Sequence, residues 1–177
     1  RDIGGGISSY EVVHQIAKQR SSADGRDRRF DVTLLINGLP IAQIELKQVT
    51  TKDGIYQAFN QVKKYAEEGV FRNNIFSTLQ LFVVSNEQTT GYFPNALPKN
   101  MHRKLLFSWR TKNNQKVENL YEFCKQVLNI PDAHRLIADY TIVSEDQDNK
   151  ILMVLHPYQI HAIEALYVSA NKHESGY

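Results

Sequence analysis

Cysteine is nearly missing from this chain, with Cys124 alone among 177 residues. No disulfide framework can be built, and one cysteine with six scattered histidines offers neither a Cys-x-x-Cys nor a His-x-x-x-His pair, which sets a zinc site aside. Cys124 lies in an apolar stretch of helical spacing, so the expectation is a buried thiol in a reducing compartment, not a nucleophile. A serine-hydrolase elbow is missing as well. Long apolar runs are also lacking. Nothing approaches the ~20 apolar residues of a membrane span, and Arg1-Asp-Ile-Gly has no secretory hydrophobic region, so a cytoplasmic protein with no membrane partner is expected. Charge of one sign is scarce: 21 basic residues against 19 acidic ones leave a net +2. That balance is too even for a stand-alone nucleic-acid binder held by its own field, so any DNA must be delivered by something else. No Gly-x-x-x-x-Gly-Lys-Ser/Thr loop is present to cradle a nucleotide's phosphates.

What remains is enough for one good core, since 42% of the residues are hydrophobic. After a Gly4-Gly-Gly6 lead, Ser8 or Ser9 is placed to cap a helix carrying Val12, Val13, Ile16 and Ala17. The polar Ser21 to Arg29 stretch reads as a surface loop, with a phosphate contact as its alternative. Phe30 to Gln48 reads as strand, turn and strand around Asn37-Gly38. Ile55, Ala58, Phe59, Val62 and Ala66 recur at helical spacing and predict an amphipathic helix from about Ile55 to Glu68. Leu79 to Val84 reads as a central strand, Gly91 to Met101 as a loop, and Phe107 to Arg110 as a short strand. Val117 to Val127 predicts a helix ending before Pro131. Leu136 to Val143 and Lys150 to Leu155 are expected as strands, and a last helix starts near Pro157.

The chemistry concentrates at Asp31, Glu45 and Lys47. Glu45 and Lys47 interrupt a Val/Ile/Leu-rich run where a buried strand should be oily, and side chains two apart on a strand share a face. Two carboxylates can hold Mg2+, and an ammonium beside them can orient water or stabilise charge on a phosphate. A solvated hairpin with its charges in water has the same letters. Register decides between them: a regular two-residue turn at Asn37-Gly38 would put Asp31 opposite Ile44 and on the other face from Glu45. A shared metal therefore requires a three-residue loop or a bulge between Ile36 and Ile44, with Gly38 at positive φ. With a three-residue loop, Asp31 falls opposite Gln43 and diagonal to Glu45.

The stretch Asp31-Val-Thr-Leu-Leu-Ile-Asn-Gly-Leu-Pro-Ile-Ala-Gln-Ile-Glu45-Leu-Lys47 resembles the PD-(D/E)xK nuclease core of the restriction (R, motor) subunit of type I restriction-modification enzymes. Gln61-Val-Lys-Lys-Tyr65 is similar to that family's Gln-x-x-x-Tyr motif, and Leu79 to Asn86 with Tyr92-Phe93 to its next core strand. His156-Pro-Tyr-Gln159 resembles the adenine-reading glutamine motif that opens the family's helicase-type motor. By residues alone, Gln61 and Tyr65 would be flanking polar groups of a helix, and Gln159 plain polar surface.

The resemblance implies an α/β fold, a restriction-endonuclease-like mixed sheet of about five strands flanked by helices. Residues 1–150 would form the endonuclease domain, and 151–177 the linker and first helix of a truncated motor. Asp31 and Glu45, with the backbone carbonyl of Leu46, would ligate Mg2+; Lys47 would act on water or phosphate; Gln61 and Tyr65 would support them or touch DNA. Gln159 would read ATP only in the full-length subunit. Double-stranded DNA and the methylation (M) and specificity (S) subunits are the implied partners. The rival readings are a non-catalytic scaffold of nuclease fold docking the motor to the methylation core, and an independent repair-type nuclease.

Overall fold

The hairpin at Asn37-Gly38 organises the molecule. β2 (Arg28–Ile36) and β3 (Leu39–Leu46) run antiparallel through it. Asn37 and Gly38 both take positive φ, 52° and 76°, the backbone of a tight two-residue turn whose twist matches the strands. The ladder pairs Leu35 with Pro40 but Leu34 with Ala42, so Ile41 is an extra residue bulged out of β3. A computed structural model supplies these coordinates and describes residues 8–18, 27–146 and 149–174. The glycine lead and most of the Ser21 to Arg29 stretch lie outside the described residues.

β1 (Tyr10–Lys18) pairs antiparallel with β2 at the sheet edge. The helix expected here is corrected to a strand. Val12 and Val13 are β-branched and favour a pleated backbone, and the open edge of β2 supplies hydrogen-bond partners that an isolated amphipathic turn lacks. From β3 the chain crosses through α1 (Gly54–Glu67) to β4 (Leu81–Ser85), which lies parallel to β3. β5 (Thr90–Pro94) returns antiparallel and completes a five-stranded mixed sheet ordered β1-β2-β3-β4-β5. The loop expected from Gly91 thus begins only after Pro94, because Gly91, Tyr92 and Phe93 are buried in the ladder. This is the α/β mixed sheet flanked by helices that the sequence predicts.

Each face of the sheet carries its own core. Under α1, rings of Phe30, Phe59, Phe71, Phe76, Phe82 and Phe93 pack with Val62, Tyr65 and Val84, neighbouring ring centres lying 4.8 to 5.7 Å apart. Such tilted aromatic packing contributes beyond area burial alone. On the opposite face Ala42, Ile44, Leu81, Val83 and Tyr92 meet a layer built from the rest of the chain. That layer contains the small hairpin β6 (Trp109–Arg110) and β7 (Lys116–Val117), then α2 (Leu120–Phe123), which continues as a π-helical turn over Cys124–Leu128. Asn119 caps α2 by accepting from the amides of Tyr121 and Glu122. Cys124 is a free, half-buried thiol held up by burial.

α3 (Asp132–Ala138) replaces the first half of the strand expected from Leu136. Leu136 is its buried residue, and the strand begins only at β8 (Thr141–Asp146), paired with β9 (Asn149–Val154). α4 (Pro157–Glu174) starts where Pro157 was expected to start it and sends Ile160 into the second core. No helix among the described residues is long and apolar enough to cross a membrane.

Candidate active site

Three elements bring the site together. The Ile41 bulge shifts the β2–β3 register by one, so Thr33 faces Gln43, Val32 faces Ile44, and Asp31 comes level with Glu45. The expectation of a bulge and of positive φ at Gly38 is met, but by a two-residue turn with a bulge in the strand and not by a three-residue loop. Asp31 consequently sits across from Glu45 and not from Gln43. The carboxylate of Asp31 accepts from the backbone amide of Leu46 at 2.8 Å, holding the two strand ends together.

Glu45 is 1% exposed, a charge placed where water cannot reach it. Its Oε1 accepts from the Gln61 side-chain amide and lies 3.7 Å from Lys47 Nζ. Its Oε2 is buried without a hydrogen-bond partner. The carboxyl is pushed up to about 8, first by burial and then by the negative charge of Asp31, while Lys47 and Gln61 pull the other way. A buried carboxyl facing a second one, with one oxygen unpartnered, is an arrangement that favours neutralisation, by a proton or by a cation.

α1 supplies the second layer. Gln61 and Tyr65 are one helical turn apart and share a face. Gln61 donates to Glu45 and to the Tyr65 hydroxyl, the latter at 2.6 Å, and accepts from Lys47. One side chain thereby fixes both the acid and the ammonium. Burial, then the charge of Glu45, raises the Tyr65 hydroxyl above its ordinary value. Arg28 stacks over the Tyr65 ring at 5.2 Å and pairs with Glu68, closing this side of the helix. Gly54 opens α1 against the strand ends: a Cβ there would stand 3.3 Å from Lys47 Cβ and 3.1 Å from Asn86 Cβ. A Cβ at this position would force the neighbouring side chains to give by a few tenths of an ångström, so glycine lets the helix approach without that shift.

Asp31 and Lys47 border a shallow depression of about 380 Å³, with His14, Gln15, Leu46 and Gln48 on its rim. Larger cavities lie elsewhere, one of about 690 Å³ between α1, the segment after β5 and the β8–β9 hairpin. A polymer lying across a sheet end needs an open rim and not a deep pocket, so volume does not locate this chemistry. Among the described residues no third His, Cys, Asp or Glu joins the acid pair.

Asp31, Glu45, Lys47, Gln61 and Tyr65 are therefore one connected group. Gln159 is far from it in role: its Oε1 accepts from the His156 backbone amide at 2.8 Å and closes the first turn of α4. Sequence reasoning passed over Gln15 and Gly54. Asp53-Gly54 carried the signal of a turn, and nothing in the letters around Gln15 distinguishes it from any exposed strand residue.

A sheet of this order with α1 crossing between parallel strands β3 and β4 is a restriction-endonuclease-like architecture. The family described as Type I restriction enzyme R protein N terminus matches residues 6–101, and the chain belongs to it. The chain is 39% identical over 158 residues to the type I restriction enzyme SsaAORF53P endonuclease subunit of Staphylococcus saprophyticus, which covers 89% of this chain and 16% of that protein. It is 35% identical over the same length to the SauCOLORF180P endonuclease subunit of Staphylococcus aureus, again with 16% of that protein covered. With the EcoprrI endonuclease subunit of Escherichia coli it shares 34% identity over 154 residues, 86% of this chain and 48% of that protein. The chain thus spans only about a sixth of its staphylococcal relatives.

Proposed function

We propose that this chain is the Mg2+-dependent endonuclease domain of a type I restriction enzyme R subunit, cutting double-stranded DNA after ATP-driven translocation by motor domains elsewhere in the subunit. The observation that carries the reading is Glu45: a buried carboxylate facing Asp31 across the ladder, with one oxygen left unpartnered. A divalent cation relieves that arrangement, because it neutralises both acids at once. Two carboxylates and a backbone carbonyl suit Mg2+, which keeps several waters and seldom takes an all-protein cage.

Asp31 and Glu45 would hold the ion, with the Leu46 carbonyl as third ligand. When bound, it supplies a Lewis acid for the phosphate and a nucleophilic water at neutral pH. Lys47 presents its ammonium to the attacking water or the phosphate, and Gln61 keeps that ammonium beside Glu45 and away from solvent disorder. The modest net charge of +2 fits a domain to which other parts deliver the DNA. Those parts are the motor domains and the M and S subunits, in the cytoplasm. Residues 1–150 form the nuclease in this reading and 151–177 lead into the motor, anchored on the nuclease through Val154 and Ile160. Gln159 would read the adenine of ATP only in the full-length subunit, after releasing the His156 amide.

The test is Glu45→Ala in the full-length subunit assembled with its partners. DNA cleavage is expected to disappear while ATP hydrolysis and translocation continue, and persistent nicking would overturn the assignment. Mn2+ titration of the chain itself should show one site lost in the same variant.

A further inference from the structure

We propose that Gln15 is a substrate-binding group of this nuclease centre, its side-chain amide donating to a phosphate oxygen of the strand being cut on the β1 side of Asp31. The inference rests on the nuclease reading above and adds a residue to it.

Gln15 stands in the middle of a nine-residue strand with φ of 55°. For a residue that is neither Gly nor Asn this left-handed backbone costs on the order of 1 kcal/mol or more, and it persists only where its surroundings impose it. The β1–β2 ladder passes from His14–Val32 to Ile16–Phe30, which sets Gln15 across from Asp31. β2 is deformed at the same step. Phe30 packs in the core under α1 while Val32, two residues on, packs in the opposite core, although residues two apart on a regular strand share a face. The two strands are therefore kinked together at the acid, and no other pair in that ladder is.

The kink places both His14 and Gln15 on the rim of the depression that holds Asp31 and Lys47. Both are exposed. Lys47 and Gln61 furnish the groups on the α1 side of the acid pair; on the β1 side, Gln15 is the polar side chain level with Asp31. Its chemistry suits that position. A Lys or Arg there would pair with Asp31 and compete with a cation for the carboxylate, whereas a neutral amide donates to a phosphate and leaves the acid free.

The experiment compares Gln15→Ala and Gln15→Gly with wild type, in the full-length subunit with its partners for cleavage and ATP hydrolysis, and in the 177-residue chain for Mn2+ titration and melting. Removing one hydrogen bond to a charged phosphate predicts a loss of roughly 10- to 100-fold in cleavage rate in both variants. Mn2+ affinity should stay within about twofold and ATP hydrolysis unchanged. Gln15→Gly, which adopts positive φ freely, should melt no lower than Gln15→Ala, and so separates lost contact from lost fold. Cleavage within about twofold of wild type in both variants would overturn the proposal. So would loss of Mn2+ binding of the size seen in Glu45→Ala, since Gln15 would then be a support of the metal site. A wild-type chain that neither binds Mn2+ nor belongs to a cleaving enzyme would sink the nuclease reading itself and Gln15 with it.

Discussion

Replacing Glu45 by Gln should make the metal-free chain more stable, and by a large amount at alkaline pH. The carboxyl is 1% exposed, faces Asp31, and is held up to about 8 against an ordinary value of 4.5. A folded-state value above the unfolded one means that the native protein binds this proton more tightly. Below pH 4.5 both states are protonated and Glu45 costs nothing extra; between 4.5 and about 8 the unfolded chain ionises first, and stability falls steadily; above 8 the loss is complete. At about 1.4 kcal/mol for each pH unit, the full penalty is on the order of 4 to 5 kcal/mol. Gln has nearly the same shape, accepts from Gln61 as the carboxylate does, and donates to Asp31 where Glu45 repels it.

In EDTA at pH 9, Glu45→Gln is therefore expected to melt roughly 10 to 15 °C above wild type, and at pH 4 to within a few degrees of it. Scanning calorimetry across pH measures both. Mn2+ should narrow the gap by stabilising wild type alone, by about 2.7 kcal/mol at a hundredfold excess over the dissociation constant. Equal or lower stability of Glu45→Gln at pH 9 would refute the account, because it would mean that the buried acid is adequately satisfied without a cation.

Lys47→Arg should fail to restore cleavage in the assembled enzyme, since a planar guanidinium cannot reproduce the compact ammonium beside Glu45 and Gln61. Deleting Ile41 removes the bulge but leaves Ala42 opposite Leu34 and Glu45 across from Asp31, so Mn2+ titration should still detect the site. Phe82→Ala empties the centre of the aromatic core, where Phe82 is 0% exposed between Phe71 and Phe93, and denaturant unfolding should show a loss of about 3 to 5 kcal/mol.

Legibility in the sequence followed the strength of the local pattern. The α1 stripe, the Asn37-Gly38 turn and the oily run of β4 were readable because each is decided by a few neighbouring residues. β1 was misread because Val12, Val13, Ile16 and Ala17 satisfy a helical spacing, and only the free edge of β2, which no local pattern reports, makes a strand the better outcome. α3 was misread for the converse reason: the β-prone letters from Tyr140 onward were extended backwards over Leu136 and Ile137, which turn instead into the second core. The site residues were visible as a group, but Gln61 as the bridge between Glu45 and Lys47 depends on where α1 lands, and that depends on Gly54.

The bulge is the device that reconciles hairpin and site. A two-residue turn is the connection that best matches strand twist, and it fixes an odd register sum that would leave Asp31 and Glu45 on opposite faces. One extra residue in β3 restores the parity without disturbing the turn, and Pro40, which offers no amide to the ladder, sits immediately before it. At the spacing of this sequence Asp31 and Glu45 meet only because the ladder skips Ile41, a residue that contributes no chemical group to the site. β1 shows the same logic at Gln15, where a backbone cost is accepted in the strand that flanks the acid. In the two strands beside β2 the ladder gives way once each, level with Asp31 in β1 and between Leu34 and Leu35, near the turn, in β3; elsewhere in the sheet it runs without interruption. Each irregularity sets how a neighbouring strand meets Asp31, one by shifting the register before it and one by kinking beside it, which is what a fold built around that carboxylate requires.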